Sequence, residues 1–121
     1  MELQNINLEI TFPEEPPALL SEVQEAFVVL FAGWKDESYR LVLEVVMVSY
    51  SEEEILRSFL ETLSHLSDAA KKDLAKASRR EFNFGYALEP AEPLEVSIPH
   101  PLVRLIGDSG YSLGVTFYSS H

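Results

Sequence analysis

Residues 39–50, YRLVLEVVMVSY, constrain the fold more than any other segment of the chain. The segment is rich in valine and is apolar at both alternating sets of positions, apart from Glu44. This pattern is typical of a strand that is covered on both faces. We therefore predict that residues 39–50 form the central strand of a β-sheet.

Four further segments are predicted to be strands. NINLEITF, residues 5–12, alternates polar and apolar residues with the period of a half-buried strand. EFNFGYAL and LEVSI, residues 81–88 and 94–98, are interpreted as a hairpin joined by a proline-containing connection. YSLGVTFY, residues 111–118, is the predicted last strand.

Helical spacing of apolar residues predicts a helix over residues 19–33. The competing interpretation is a strand at AFVVLFAGW, residues 26–34, that pairs with the next segment through the turn KDES. Ser51 and Glu54 form a capping box before a second helix, and Ser67 begins a third.

A fourth helix is predicted to open at Pro99 or Pro101 and to close at Gly110 in the left-handed conformation. The predicted order is βαβααββαβ. This order indicates an α+β fold with a single mixed β-sheet and helices packed on it. At 121 residues the chain is expected to form one domain, residues 1–121.

Charge and composition limit the classes of partner. Twenty acidic and nine basic residues give a net charge of −11. The electrostatic field of such a charge attracts a basic protein and disfavours the binding of nucleic acid and anionic membranes. The chain has no cysteine, no signal-peptide pattern and no apolar run of about 18 residues. We expect a cytoplasmic protein that is not inserted in a membrane.

The letters GDSG, residues 107–110, also surround the nucleophilic serine of chymotrypsin-like proteases. A nucleophile needs a base and a group that orients the base, and none of the three histidines has a recognisable partner. Asp108, Ser109 and Gly110 are instead typical of a helix end. No metal-ligand spacing or phosphate-binding loop occurs, and an enzyme would need a pocket around Glu44 or His100. We predict a non-enzymatic protein with no catalytic residues, metal or cofactor.

Residues 50–119 resemble a family of small bacterial domains of unknown function. That family has an aromatic F-x-F/I-G strand, then a second strand ending in a proline-started helix, then an lG-x-s-L-x-v-x-x-Y segment. SYSEEEILRSFLETLSHL, residues 49–66, is similar to its preceding helix. The matching positions in the C-terminal part are Phe82, Phe84, Gly85, Leu102, Leu105, Ile106, Gly110, Leu113, Val115 and Tyr118.

Domains of this family are often encoded beside polymorphic toxins, and the resemblance implies an immunity protein that binds and neutralises a cognate toxin of a bacterial secretion system. The toxin is expected to be basic, and the immunity protein to cover or distort its active site. The alternative is a non-catalytic adaptor or structural protein that forms a homodimer through a sheet edge. Because interfaces favour aromatic anchors within a polar rim, the predicted partner-binding residues are Trp34, Asp36, Glu37, Tyr39, Glu52 and Glu53. For Trp34 and Tyr39 the competing interpretation is a place in the core.

Overall fold

The computed structural model describes residues 2–46, 51–88 and 94–119. Over these residues it confirms the predicted α+β class, with a single mixed sheet of five strands and four helices. In chain order the elements are β1 (Glu2–Phe12), α1 (Pro17–Ala26), β2 (Val28–Lys35), β3 (Ser38–Glu44), α2 (Glu52–Ser64), α3 (Asp68–Ala75), β4 (Arg79–Ala87), α4 (His100–Asp108) and β5 (Ser112–Tyr118).

The strands lie in the order β2-β3-β1-β4-β5. All neighbouring pairs are antiparallel except β4 and β5, which are parallel. Helix α4 connects this parallel pair, as a crossover between parallel strands requires. β1 is therefore the middle strand, and β2 and β5 are the two edges.

Two segments adopt a different secondary structure from the leading prediction. Residues 28–35 form β2 and not the second half of a helix, which confirms the alternative that paired AFVVLFAGW with the next segment. Residues 94–98 form no strand, and β5 takes the place beside β4 that the predicted hairpin assigned to them. The observed order is accordingly β-α-β-β-α-α-β-α-β.

The predicted central strand 39–50 is shorter than expected. β3 ends at Glu44, Val45 and Val46 continue without strand pairing, and residues 47–50 lie outside the described residues. β3 has β2 on one side and β1 on the other, so it is an interior strand, but the middle of the sheet is β1.

One face of the sheet packs against the apolar sides of the helices, and we name it the covered face. Alternate residues of the three inner strands point into this core, whereas the residues between them are mostly half-buried on what we name the open face. The largest fully buried side chains are Phe12, Phe59, Phe82, Phe84, Leu8, Ile10, Leu19, Leu41, Leu43, Leu56, Ile106 and Val23.

The predicted caps are present. The Ser51 hydroxyl accepts a hydrogen bond from the Glu54 N–H (3.2 Å), and the Ser67 hydroxyl accepts one from the Ala70 N–H (3.1 Å). Gly110 follows the end of α4 with φ of 82°, in the left-handed region that glycine adopts without a steric penalty.

Helices α1 and α3 cap each other. Asp73 Oδ2 in α3 accepts hydrogen bonds from the Ala18 and Leu19 N–H groups at the start of α1 (2.9 and 3.1 Å). In return, the Glu22 carboxylate in α1 accepts hydrogen bonds from the N–H and hydroxyl of Ser67, the N-cap of α3. These bonds lower the pKa of Glu22. The first backbone groups of each helix are thus partly satisfied by the other helix.

Candidate partner-binding edge

Strand β2 forms one edge of the sheet and joins β3 through a tight hairpin. Lys35 lies opposite Ser38, so only Asp36 and Glu37 form the turn. Asp36 has φ of 59°, a left-handed conformation that aspartate tolerates better than most residues and that tight hairpin turns require. The turn therefore places two carboxylates at the end of the edge strand.

Large apolar side chains are exposed along β2. Trp34 is 54% exposed and Leu30 is 49% exposed, and Val28 and Phe31 are exposed as well. The strand register places Trp34 on the covered face and Phe31 on the open face. Apolar surface therefore wraps around this edge, on both sides of its backbone. We name the outer side of residues 28–35, with these four side chains, the β2 edge.

Tyr39 lies beneath Trp34. The two residues face each other across the hairpin, and their rings meet edge to face with centroids 5.6 Å apart. Tyr39 is only 6% exposed, and burial raises the pKa of its phenol. The structure thus gives Tyr39 the core position and leaves Trp34 on the surface, so Tyr39 orients the Trp34 ring and offers little surface to a partner.

A third carboxylate lies near the hairpin turn. The charge of Glu15 adds to the increase in the Tyr39 pKa that burial causes. Glu15 belongs to the loop after β1, whose last residue, Phe12, pairs with Tyr39. This loop also borders a cleft of about 340 Å³ against α3. We name the exposed carboxylates of Glu15, Asp36 and Glu37 the acidic hairpin end.

Glu52 and Glu53, the other two predicted contact residues, lie at the opposite end of the sheet. β3 runs away from the hairpin, since Tyr39 pairs with Phe12 and Leu43 pairs with Leu8, and α2 follows β3 in the chain. Burial raises the pKa of Tyr86, and the charge of Glu52 at the start of α2 adds to the increase. Tyr86 pairs with Leu3 near the start of β1, whereas Tyr39 pairs with Phe12 at its end. Nine residues of strand separate these points, about 30 Å.

Ser109, the serine of the GDSG motif, ends helix α4. The Ser109 hydroxyl donates a hydrogen bond to the Leu105 carbonyl oxygen at 2.7 Å, and Ser109 is the C-cap of α4. Within residues 2–46, 51–88 and 94–119, no three His, Asp or Glu side chains come together as metal ligands. In the same part of the chain, no helix is long and apolar enough to cross a membrane.

Sequence reasoning missed three of the four exposed apolar residues of the β2 edge and the proximity of Glu15. Val28, Leu30 and Phe31 lie within the helix predicted over residues 19–33, because sequence alone does not distinguish an apolar residue on an exposed edge strand from one in a core. The pair Val28-Val29, which breaks the helical polar face, is the signal that favours the alternative strand at residues 26–34.

No family model, curated protein or solved structure matches the chain. The resemblance of residues 50–119 to the family of small bacterial domains therefore stays a prediction. The candidate site is defined by its geometry alone: an exposed apolar edge strand next to an acidic turn.

Proposed function

We propose that this chain is a bacterial immunity protein that acts in the cytoplasm by binding a cognate toxin domain and covering or distorting its active site. The observation that carries the proposal is the β2 edge, where Trp34 stands exposed beside the acidic hairpin end. The sequence resemblance of residues 50–119 supports the choice of an immunity protein among binding proteins. No cofactor, metal or catalytic group is part of this proposal.

Two physical effects support this binding role. The net charge of −11 accelerates the encounter with a basic toxin before any short-range contact forms. Trp34 then provides a large, rigid anchor of the type that dominates protein interfaces. Tyr39 fixes one side of the Trp34 ring, so little conformational freedom is lost when a partner covers the other side.

The direct test mixes the purified protein with the product of the adjacent gene. We expect a complex by calorimetry and protection of cells that express the toxin. Trp34→Ala should weaken the affinity about 30-fold, which corresponds to a loss of about 2 kcal/mol. Phe117→Ala, which removes an exposed aromatic ring from β5, is the matched control and should leave the affinity unchanged.

Charge is tested by a second matched pair. Asp36→Lys and Glu53→Lys change the net charge equally, but only Asp36 lies at the acidic hairpin end. We expect Asp36→Lys to slow association more than Glu53→Lys, with a difference that shrinks as salt is added. If no complex forms and cells are not protected, the proposed function is wrong.

The alternative is an adaptor or structural protein that forms a homodimer through a sheet edge, and the exposed apolar residues of β2 also favour it. Sedimentation equilibrium distinguishes the two functions. A dimer that forms without any partner, that salt strengthens by screening the repulsion between two acidic chains, and that Trp34→Ala dissociates would support the alternative.

A further inference from the structure

The outer backbone of β2 has no ladder partner among the described residues. In the described parts of the chain, β2 is the first strand in the order β2-β3-β1-β4-β5 and pairs only with β3. Such an edge presents N–H and C=O groups that another strand can pair with. Proteins commonly protect an edge with charged residues or proline, but β2 contains only one charged residue, Lys35 at its end, and no proline.

A register shift limits which part of this edge can accept a strand. Val29 pairs with Leu43 and Phe31 pairs with Val42, so Leu30 is an extra residue on β2. A bulge of this type bends the strand and interrupts regular pairing. The regular part of the edge is therefore residues 31–35, which contain Phe31 and Trp34 on its two faces.

The charges around the edge indicate the chemistry of a partner strand. The strand itself carries no acidic residue in a chain that has 20, yet both of its ends are acidic. Asp36 and Glu37 follow Lys35, and Glu44 lies opposite Val28 at the other end. An extended segment with apolar residues in its middle and lysine or arginine at its ends would match this distribution.

We propose that the partner of this chain contributes such a segment, which pairs with residues 31–35 as a sixth strand of the sheet. Its apolar side chains contact Phe31 and Trp34, and a basic side chain lies beside Asp36 and Glu37. The inference deepens the proposed function, since it takes the partner to be a protein, but it does not depend on that protein being a toxin. Affinity comes from the backbone ladder and specificity from the side chains on either face.

Trp34 makes this proposal measurable, because it is the single tryptophan of the chain and lies within the pairing segment. The probe is a capped eight-residue peptide with two lysines at each end and four valines between them, so that it presents apolar side chains on both faces, and the control replaces each lysine with glutamate. We expect the basic peptide to shift the Trp34 emission to shorter wavelength in a saturable way. The acidic peptide should bind at least tenfold more weakly.

Backbone pairing is separated from charge attraction by N-methylation. Two versions of the basic peptide carry N-methyl groups on the odd-numbered or on the even-numbered residues, which leaves charge and side chains in place. Successive N–H groups of a strand point to opposite sides, so at least one version must lose tenfold or more in affinity if a ladder forms. Equal binding of both versions and the unmodified peptide, or no change in Trp34 emission up to millimolar peptide, overturns the proposal.

The same measurements separate this inference from the proposed function. A complex with the adjacent gene product that leaves Trp34 emission unchanged and is not displaced by the basic peptide refutes the sixth strand but keeps the immunity role. Peptide binding without any such complex refutes the immunity role and keeps the sixth strand. If Trp34 becomes covered as the protein alone is concentrated, the occupant is a second copy, and the proposal of a basic partner is wrong.

Discussion

The two edge strands of the sheet, β2 and β5, both expose apolar side chains, but they are attached to the sheet in different ways. On the open face, the Thr116 hydroxyl of β5 donates a hydrogen bond to Asn83 Oδ1 (2.9 Å). The Tyr118 ring covers Gly85 so closely that a Cβ at Gly85 would lie 2.6 Å from Tyr118 Cε2. β5 is thus interlocked with β4 along its length.

β2 has fewer attachments of this kind. Phe31 covers Gly33 loosely, since a Cβ at Gly33 would lie 3.6 Å from the nearest Phe31 atom. Phe27, just before the strand, is buried and stacks on Phe59 with ring centroids 5.6 Å apart. The comparison indicates that Thr116 and Tyr118 interlock β5 with β4. On β2, Phe31 and Trp34 make looser or one-sided contacts and keep much of their apolar surface exposed.

The largest expected effect is on the free energy of unfolding when an aromatic ring beside each edge strand is removed. Phe27→Ala removes a buried ring from the core and should lower the free energy of unfolding by about 3 to 5 kcal/mol. Phe117→Ala removes a ring that is already partly exposed and should cost about 1 kcal/mol. Urea denaturation measures both. Equal losses of stability in the two variants would mean that these rings attach the two edge strands to the protein equally strongly, and would remove the distinction drawn between the edges.

Glycine substitutions test the open face of each edge. Gly85→Ala forces the Tyr118 ring and the Asn5 side chain to move and should cost about 1 to 3 kcal/mol. Gly33→Ala meets only an ordinary contact with Phe31, and alanine restricts the unfolded chain more than glycine, so stability should rise by about 0.5 kcal/mol. A destabilised Gly33→Ala variant would show that β2 is interlocked as tightly as β5.

Much of the fold could be predicted from local patterns. The alternation in β1 and the caps at Ser51, Ser67 and Gly110 depend on neighbouring residues, and all are present in the structure. The secondary structure of residues 28–35 was harder to predict, because the spacing of their apolar residues fits a helix and pairing with β3 makes them a strand. Residues 94–98 resemble a strand, but β5 pairs with β4 in that place.

The candidate site was predictable only in part. KDES, residues 35–38, indicates the turn of the hairpin in the alternative interpretation, because turn residues are local signals, and its carboxylates are in the turn of the structure. The sequence could not distinguish the exposed Trp34 from the buried Tyr39, since both are aromatic residues of paired strands. The sequence also grouped Glu52 and Glu53 with the hairpin residues, whereas they lie at the opposite end of the sheet. The direction in which the chain leaves β3 is not a local property, so the sequence does not reveal it.

The smallest expected effect is a change in the pKa of a tyrosine beside one edge of the sheet, measured against a tyrosine beside the other edge. Burial raises the pKa of both Tyr39 and Tyr111 above the ordinary value of about 10. The charge of Glu15 adds to the increase for Tyr39, whereas Arg80 opposes it for Tyr111. Each phenol has a higher pKa in the folded state, so its contribution to stability is present below about pH 10 and is lost as the pH rises through that folded pKa.

Glu15→Gln should therefore lower the pKa of Tyr39 and leave that of Tyr111 unchanged. Tyrosinate absorbance, followed in Tyr39→Phe and Tyr111→Phe backgrounds, assigns each transition to its residue. A shift of both tyrosines, or of neither, would contradict the placement of Glu15 at the acidic hairpin end.

The mutual capping of α1 and α3 has a consequence for the rigidity of the β2 edge. Because Asp73 holds the first turn of α1 and Glu22 holds the first turn of α3, neither helix can fray without exposing polar groups of the other. The pair should open in an all-or-none manner. Since α1 runs directly into β2 through Phe27, the helix pair should hold the start of β2 in one position, and the proposed partner would meet a surface that is already formed.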